Sequence, residues 1–200
     1  MMSRPKIISG LSLIILTGVI LYGLQQARQT AKSRLQMGLP MPDFQLRDED
    51  GDLGSGRAFS GRNYGLLFFR ADCEHCQREL MEIDRLLPQF AGRLPFLVVS
   101  LNSAEETRQA IEHWRLTMTP YFAPVALARS LGVRSVPLLV LVGADGRISY
   151  VQTGERSLSF QRTVFERFLQ GDSLAEADLR KIAQRPAAVS PAAGAGCDIP

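Results

Sequence analysis

The stretch from Leu66 to Leu80, LLFFRADCEHCQREL, joins four consecutive apolar residues to a pair of cysteines, Cys73 and Cys76. Leu66-Leu67-Phe68-Phe69 is too short for a helix and suits a strand covered on both faces. From Cys76 onward, Leu80, Ile83, Leu87 and Phe90 recur at spacings of three and four, which predicts an amphipathic helix whose first turn contains the cysteines. Pro88 is expected to kink or end it. Two cysteines so spaced bind a metal, staple a loop or carry electrons. Their place at the start of a helix, directly after a buried strand, points to electrons.

Outward from this core the chain alternates. Leu94 to Leu101, LPFLVVSL, reads as a second buried strand, and Ala104 to Trp114 is helical in composition. Val125 to Leu131 is a short helix stopped by Gly132. In VPLLVLVGADGRISYVQ two apolar runs flank Asp145-Gly146, a strong hairpin signal. Ser157 to Gln170 carries Phe160, Val164, Phe165 and Phe168 on one helical face and should pack back on the sheet. Upstream, Phe44 and Leu46 alternate with polar residues before a turn rich in Asp and Gly, which suits a short strand and loop. There is no internal repeat. The order predicts an α/β fold, a mixed β-sheet flanked by helices.

Composition narrows the function classes. The 200 residues are 46% hydrophobic and 22% charged, enough for one domain with segments left over. The net charge of +3 is mild and its cations are scattered, so no nucleic-acid partner is expected. Three cysteines are too few for the framework of a small secreted scaffold.

From Ile7 to Ala27 there is no charged side chain, and a helix of that length spans roughly 30 Å, the thickness of a bilayer core. No small-x-small cleavage site follows, so an uncleaved N-terminal transmembrane helix is expected. The expected organisation is an anchor over 1–27, a stalk over 28–40, the folded domain over 41–171, and a tail over 172–200. In that tail Ser173 and Glu176 form a capping box for a short helix. Beyond Arg185 the Pro, Ala and Gly content predicts disorder. Cys197 in that tail is either a third redox thiol reaching back to the site or a bystander, and the bystander reading is preferred because an exposed tail cysteine has no helix terminus to activate it.

Three groups of residues carry a resemblance. They are Pro42-Asp43-Phe44 with Asp50-Gly51, then Cys73-Glu74-His75-Cys76 with Glu79, then Gly132-Val133-Arg134-Ser135-Val136-Pro137 followed by Asp145-Gly146. From about Gly38 to Gly171 the chain resembles the thioredoxin superfamily, within it the membrane-anchored TlpA-like oxidoreductases that include the cytochrome c maturation reductases. The resemblance implies a thioredoxin-like fold and a thiol:disulfide oxidoreductase whose only redox group is a Cys73–Cys76 disulfide, with no metal or other cofactor. It implies that Cys73 attacks a client disulfide and Cys76 resolves the mixed disulfide. Glu79 then handles protons at the second cysteine, Pro137 is cis, and Val136 offers its backbone to an extended client peptide. Glu79 also has a plainer reading as a solvated helix carboxylate.

The partners implied are cysteine-bearing proteins, an apocytochrome among them, and a transmembrane thiol donor, since no flavin or nicotinamide motif is present. The domain would face the periplasm from the bacterial inner membrane. The neighbours of the cysteines tune the pair in opposite directions. A protonated His75 would make it more oxidising, and Glu74 opposes this. Asp72 stands where these families place a Trp.

Other readings fit less well. A reductase is expected, with an oxidase or isomerase as its alternative and a thioredoxin-like copper chaperone behind both. A structural zinc site needs four ligands, and the chain offers three cysteines and two histidines with Cys197 in the tail, so such a site is not expected. The PDFQLRDEDG segment also resembles peroxiredoxins, but Leu66 and Arg70 occupy the places of their peroxide-holding Pro and Thr. A redox-inactive binding module is hard to reconcile with two intact cysteines.

Overall fold

A computed structural model describes residues 35–51, 53–172, 174 and 196–199. The expected anchor over 1–27 and the helix after Ser173 lie outside these residues. Among the described residues no helix is long and apolar enough to cross a membrane.

In chain order the elements are β1 (Gln45–Arg47), β2 (Leu53–Ser55), β3 (Tyr64–Phe69), α1 (Glu74–Leu86), β4 (Phe96–Ser100), α2 (Ala104–Trp114) and β5 (Pro120–Phe122). They continue with α3 (Val125–Leu131), β6 (Ser135–Val136), β7 (Leu138–Val142), β8 (Ile148–Thr153), α4 (Leu158–Gln170) and β9 (Cys197–Asp198). Seven strands form one sheet in the order β2-β1-β5-β4-β3-β7-β8, and β6 pairs with β9 in a second. The sheet is mixed, because β3 runs parallel to β4 and antiparallel to β7.

The apolar runs account for the centre. Every residue of β3 and of β7 is buried, as strands covered on both faces require. Gly65 of β3 faces Phe96 across the parallel pair, and a Cβ there would fall 2.3 Å from the Phe96 ring. Helix α1 buries Cys76, Glu79, Leu80, Ile83 and Leu86, one stripe at helical spacing, and packs on α4. It stops at Leu86 because Pro88 follows within a 3-10 turn over Leu87–Phe90. Helix α2 starts at a capping box in which Ser103 and Glu106 satisfy each other's backbone N–H groups.

Two expectations change at the ends. Residues 35–40, assigned above to a stalk, lie on the domain. Leu35 is buried, the Gly38 N–H donates to the Ile148 carbonyl at 2.7 Å, and the Ile148 N–H donates to the Leu39 carbonyl at 2.9 Å. The segment is a turn joined to the start of β8 by these two bonds and by an isolated antiparallel bridge between Pro40 and Arg147, so it belongs to the domain. Residues 196–199, expected to be disordered, hold β9, which pairs antiparallel with β6 in the register Ser135 with Asp198 and Val136 with Cys197.

Candidate active site

The site forms where β3 hands the chain to α1. Cys73 is the N-cap of α1 with extended backbone angles, and its carbonyl accepts the Gln77 N–H at 3.1 Å, the first bond of the helix. The loop before it is pinned by the Asn102 side chain, whose Oδ1 accepts the Ala71 N–H at 2.9 Å. The Val136–Pro137 peptide bond is cis, and the Val136 carbonyl oxygen lies 3.9 Å from Cys73 Sγ.

Cys73 is disulfide-bonded to Cys197, 124 residues away, and Cys76 is a free, fully buried thiol. The bond present is therefore Cys73–Cys197 and not the expected Cys73–Cys76 link, and the bystander reading of Cys197 is corrected by it. The physical reason is strand β9. It places Cys197 in register with Val136, and so beside the sulfur that Val136 already touches. In this state Cys73 is only 2% exposed.

Burial pushes the Cys76 thiol up to about 12, the Arg70 N–H at 3.4 Å from its sulfur opposes the shift, and the charge of Glu79 adds to it. Glu79 is not a solvated carboxylate: it is fully buried, one turn beyond Cys76 on the same face. Its Oε2 accepts the Arg156 N–H at 2.8 Å, and its Oε1 accepts Gln152 Nε2 at 3.0 Å and Gln161 Nε2. Burial outweighs these donors and pushes Glu79 up to about 8.

The outer residues form two paired groups. Arg70 donates to Asp72 through Nε at 2.8 Å and Nη2 at 2.5 Å, which holds the Asp72 carboxyl below its usual range. The second group joins His75, Arg78, Glu155 and Glu74. Arg78 Nε donates to Glu155 at 2.6 Å, and its Nη2 lies 2.8 Å from His75 Nδ1. The same nitrogen lies 3.6 Å from Glu155 Oε1. Glu74 is 87% exposed and lies 3.8 Å from Arg78.

Sequence reasoning ranked Cys197 as a redox partner below the bystander reading, and it missed the Gln152, Gln161 and Arg156 shell around Glu79. A cysteine left over after one pair is assigned was the available signal for the first. For the second it was Gln152 continuing the inward alternation of Ile148 and Tyr150 along β8. Leu66 is fully buried inside β3 and Arg70 is tied to Asp72, so neither is disposed to hold a peroxide. Among the described residues no three His, Cys, Asp or Glu side chains gather as a metal site would need.

The AhpC/TSA family profile matches residues 37–151, more than half of the chain. The chain is similar to the thioredoxin-like protein YneN of Bacillus subtilis, 24% identical over 153 residues, covering 74% of this chain and 90% of that protein. It is similar also to the thiol-disulfide oxidoreductase ResA of Bacillus thuringiensis, 25% identical over 151 residues, with 72% and 86% covered. Among solved structures, a putative thiol:disulfide interchange protein DsbE from Chlorobium tepidum superposes with a TM-score of 0.60 at 19% identity, covering 68% of this chain and 97% of that one. That likeness shows the fold, which is thioredoxin-like.

Proposed function

Because the chain belongs to the AhpC/TSA family, we propose that it is a thiol:disulfide oxidoreductase acting on the cysteines of protein clients. The observation that carries this reading is the arrangement of sulfurs. Cys73 is already bonded to a second sulfur while the Cys76 thiol lies free in the first turn of the same helix. A mixed disulfide awaiting resolution needs that arrangement. The relatives named as thioredoxin-like and thiol-disulfide oxidoreductases support it.

The steps follow from the geometry. At the N-cap of α1, Cys73 faces unpaired N–H groups and the positive end of the helix dipole, which favour its thiolate. The thiolate attacks one sulfur of a client disulfide, a Cys73–client bond forms, and the other client sulfur leaves as a thiolate. Cys76 then attacks Cys73 Sγ, releasing the second client thiol and leaving Cys73–Cys76 oxidised. Two electrons have passed to the client. Cys76 must lose a proton for this step, and a thiol held near 12 does so only with a base at hand. Glu79, held near 8 and one turn away, is suited to take that proton and later return it.

Direction follows from the charges. A cation beside Cys73 would stabilise its thiolate and make the pair oxidising. Arg78, on the same helix, is offset by two carboxylates, Glu155 at 2.6 Å and Glu74 at 3.8 Å. This favours a reductase. In the same reading, residues 7–27 hold the domain at the bacterial inner membrane facing the periplasm. A transmembrane thiol carrier renews its electrons there, and an apocytochrome or another protein awaiting its cofactor is the client.

The reduction potential tests the direction, measured on Cys197→Ser so that one pair titrates. Equilibration against glutathione should give a value near that of thioredoxin, about −270 mV; one near −120 mV would assign the oxidase role instead.

A further inference from the structure

We propose that Cys197 is a third redox residue of the site. On this reading the C-terminal strand β9 is a built-in substrate, whose thiol trades places with Cys76 and with client thiols on Cys73 Sγ. The inference rests on the oxidoreductase reading above and adds to it a residue that the two-cysteine mechanism does not contain.

The strand is fitted to its place at three points. Cys197 stands in register with Val136 and is bonded to Cys73. Ile199 packs on the core and its N–H donates to the Arg134 carbonyl at 3.0 Å. Gly196 comes so close to β6 that a Cβ there would lie 2.9 Å from the Val136 carbonyl oxygen, a backbone atom with no freedom to swing aside. A side chain is excluded at the position that brings Cys197 to the sulfur. The docked strand also uses the backbone edge at Val136 and covers Cys73, so a client and the tail exclude each other there.

The exchange balances without any added oxidant or reductant. The Cys76 thiolate attacks Cys73 Sγ, the Cys73–Cys76 bond forms, the Cys73–Cys197 bond breaks, and Cys197 leaves as a thiolate that takes up the proton Cys76 gave up. In reverse, Cys197 reopens the Cys73–Cys76 disulfide. Attack by Cys197 on a Cys73–client mixed disulfide likewise expels the client thiol. A tethered thiol acts at an effective concentration in the mM range, enough to compete with free thiols.

The test uses the full chain and oxidised glutathione as the probe. Reduced Cys76→Ala and Cys76→Ala/Cys197→Ser chains are mixed with oxidised glutathione, quenched with acid over time, alkylated and mapped by mass spectrometry. In the double variant the glutathione adduct on Cys73 should persist. In Cys76→Ala it should give way to the Cys73–Cys197 disulfide at least tenfold faster than the adduct decays in the double variant, with release of reduced glutathione. Adding Gly196→Ala to Cys76→Ala keeps the thiol but crowds the strand, and should slow that step roughly tenfold.

Oxidised wild-type protein, mapped in the same way, should contain the Cys73–Cys197 link in a proportion independent of protein concentration. An adduct equally long-lived with and without Cys197 would overturn the proposal while leaving Cys73 as the nucleophile. Absence of any adduct on Cys73 would overturn the oxidoreductase reading itself.

Discussion

Cys73→Ser should lower the rate of reduction of a disulfide-bonded test protein by on the order of 10³-fold or more, because a hydroxyl at the same place forms no anion near neutral pH and no covalent intermediate. The substitution also removes a cross-link that closes a loop of more than a hundred residues. That loss is worth on the order of 4 kcal/mol in the oxidised chain, and it could lower activity by unfolding alone. Cys197→Ser is the control, since it loses the same cross-link and keeps the nucleophile. Stopped-flow turnover of both variants, with circular dichroism to confirm folding, separates chemistry from structure. Comparable losses in the two would refute the assignment of Cys73 as the attacking residue.

Glu79→Ala should unfold the domain more readily by about 3 kcal/mol or more. The Arg156 N–H and the side-chain amides of Gln152 and Gln161 would lose their common acceptor inside the core, at about 1–3 kcal/mol for each buried donor left unmade. Glu79→Gln keeps the volume and an acceptor and should cost much less. Its effect is on pH dependence.

Because the folded domain raises Glu79 from 4.5 to about 8, the neutral carboxyl contributes stability that is fully present below about pH 4.5 and is lost as pH rises through about 8. Urea unfolding at fixed redox state should therefore show wild-type stability falling over this window by on the order of 5 kcal/mol more than that of Glu79→Gln. Parallel pH profiles for the two would mean that Glu79 is charged throughout. The same proton bears on turnover: the resolving step should accelerate with pH up to about 8 in wild type, and Glu79→Gln should lack that rise.

Much of the scaffold is legible in the residues themselves. Leu66 to Phe69 could only be a covered strand, Asp145-Gly146 could only turn a hairpin, and Pro88 ends α1 where the ring forbids its continuation. These are local properties, written within a few residues of where they act. The three-residue β5, whose side chains are all partly exposed, carries no such pattern and takes its conformation from pairing with β4 and β1.

The site divides in the same way. Its two cysteines and Pro137 stand in short motifs. The burial of Glu79 depends on β8, α4 and the turn between them, and the role of Cys197 depends on a two-residue strand inside a segment whose composition argues against structure. What a helix carboxylate or a tail cysteine does is decided by what comes to meet it, and that is a property of the fold.

The central claim is that Cys73 attacks client disulfides and that a second thiol must release them. With two thiols able to release the client, Cys76→Ala alone would let Cys197 clear it, so the decisive chain is Cys76→Ala/Cys197→Ser. Incubated reduced with a disulfide-bonded test protein, alkylated and separated without reductant, it should give a one-to-one covalent complex through Cys73 that dithiothreitol dissolves and that adding Cys73→Ser abolishes. No complex at all, or one that survives Cys73→Ser, would contradict the account.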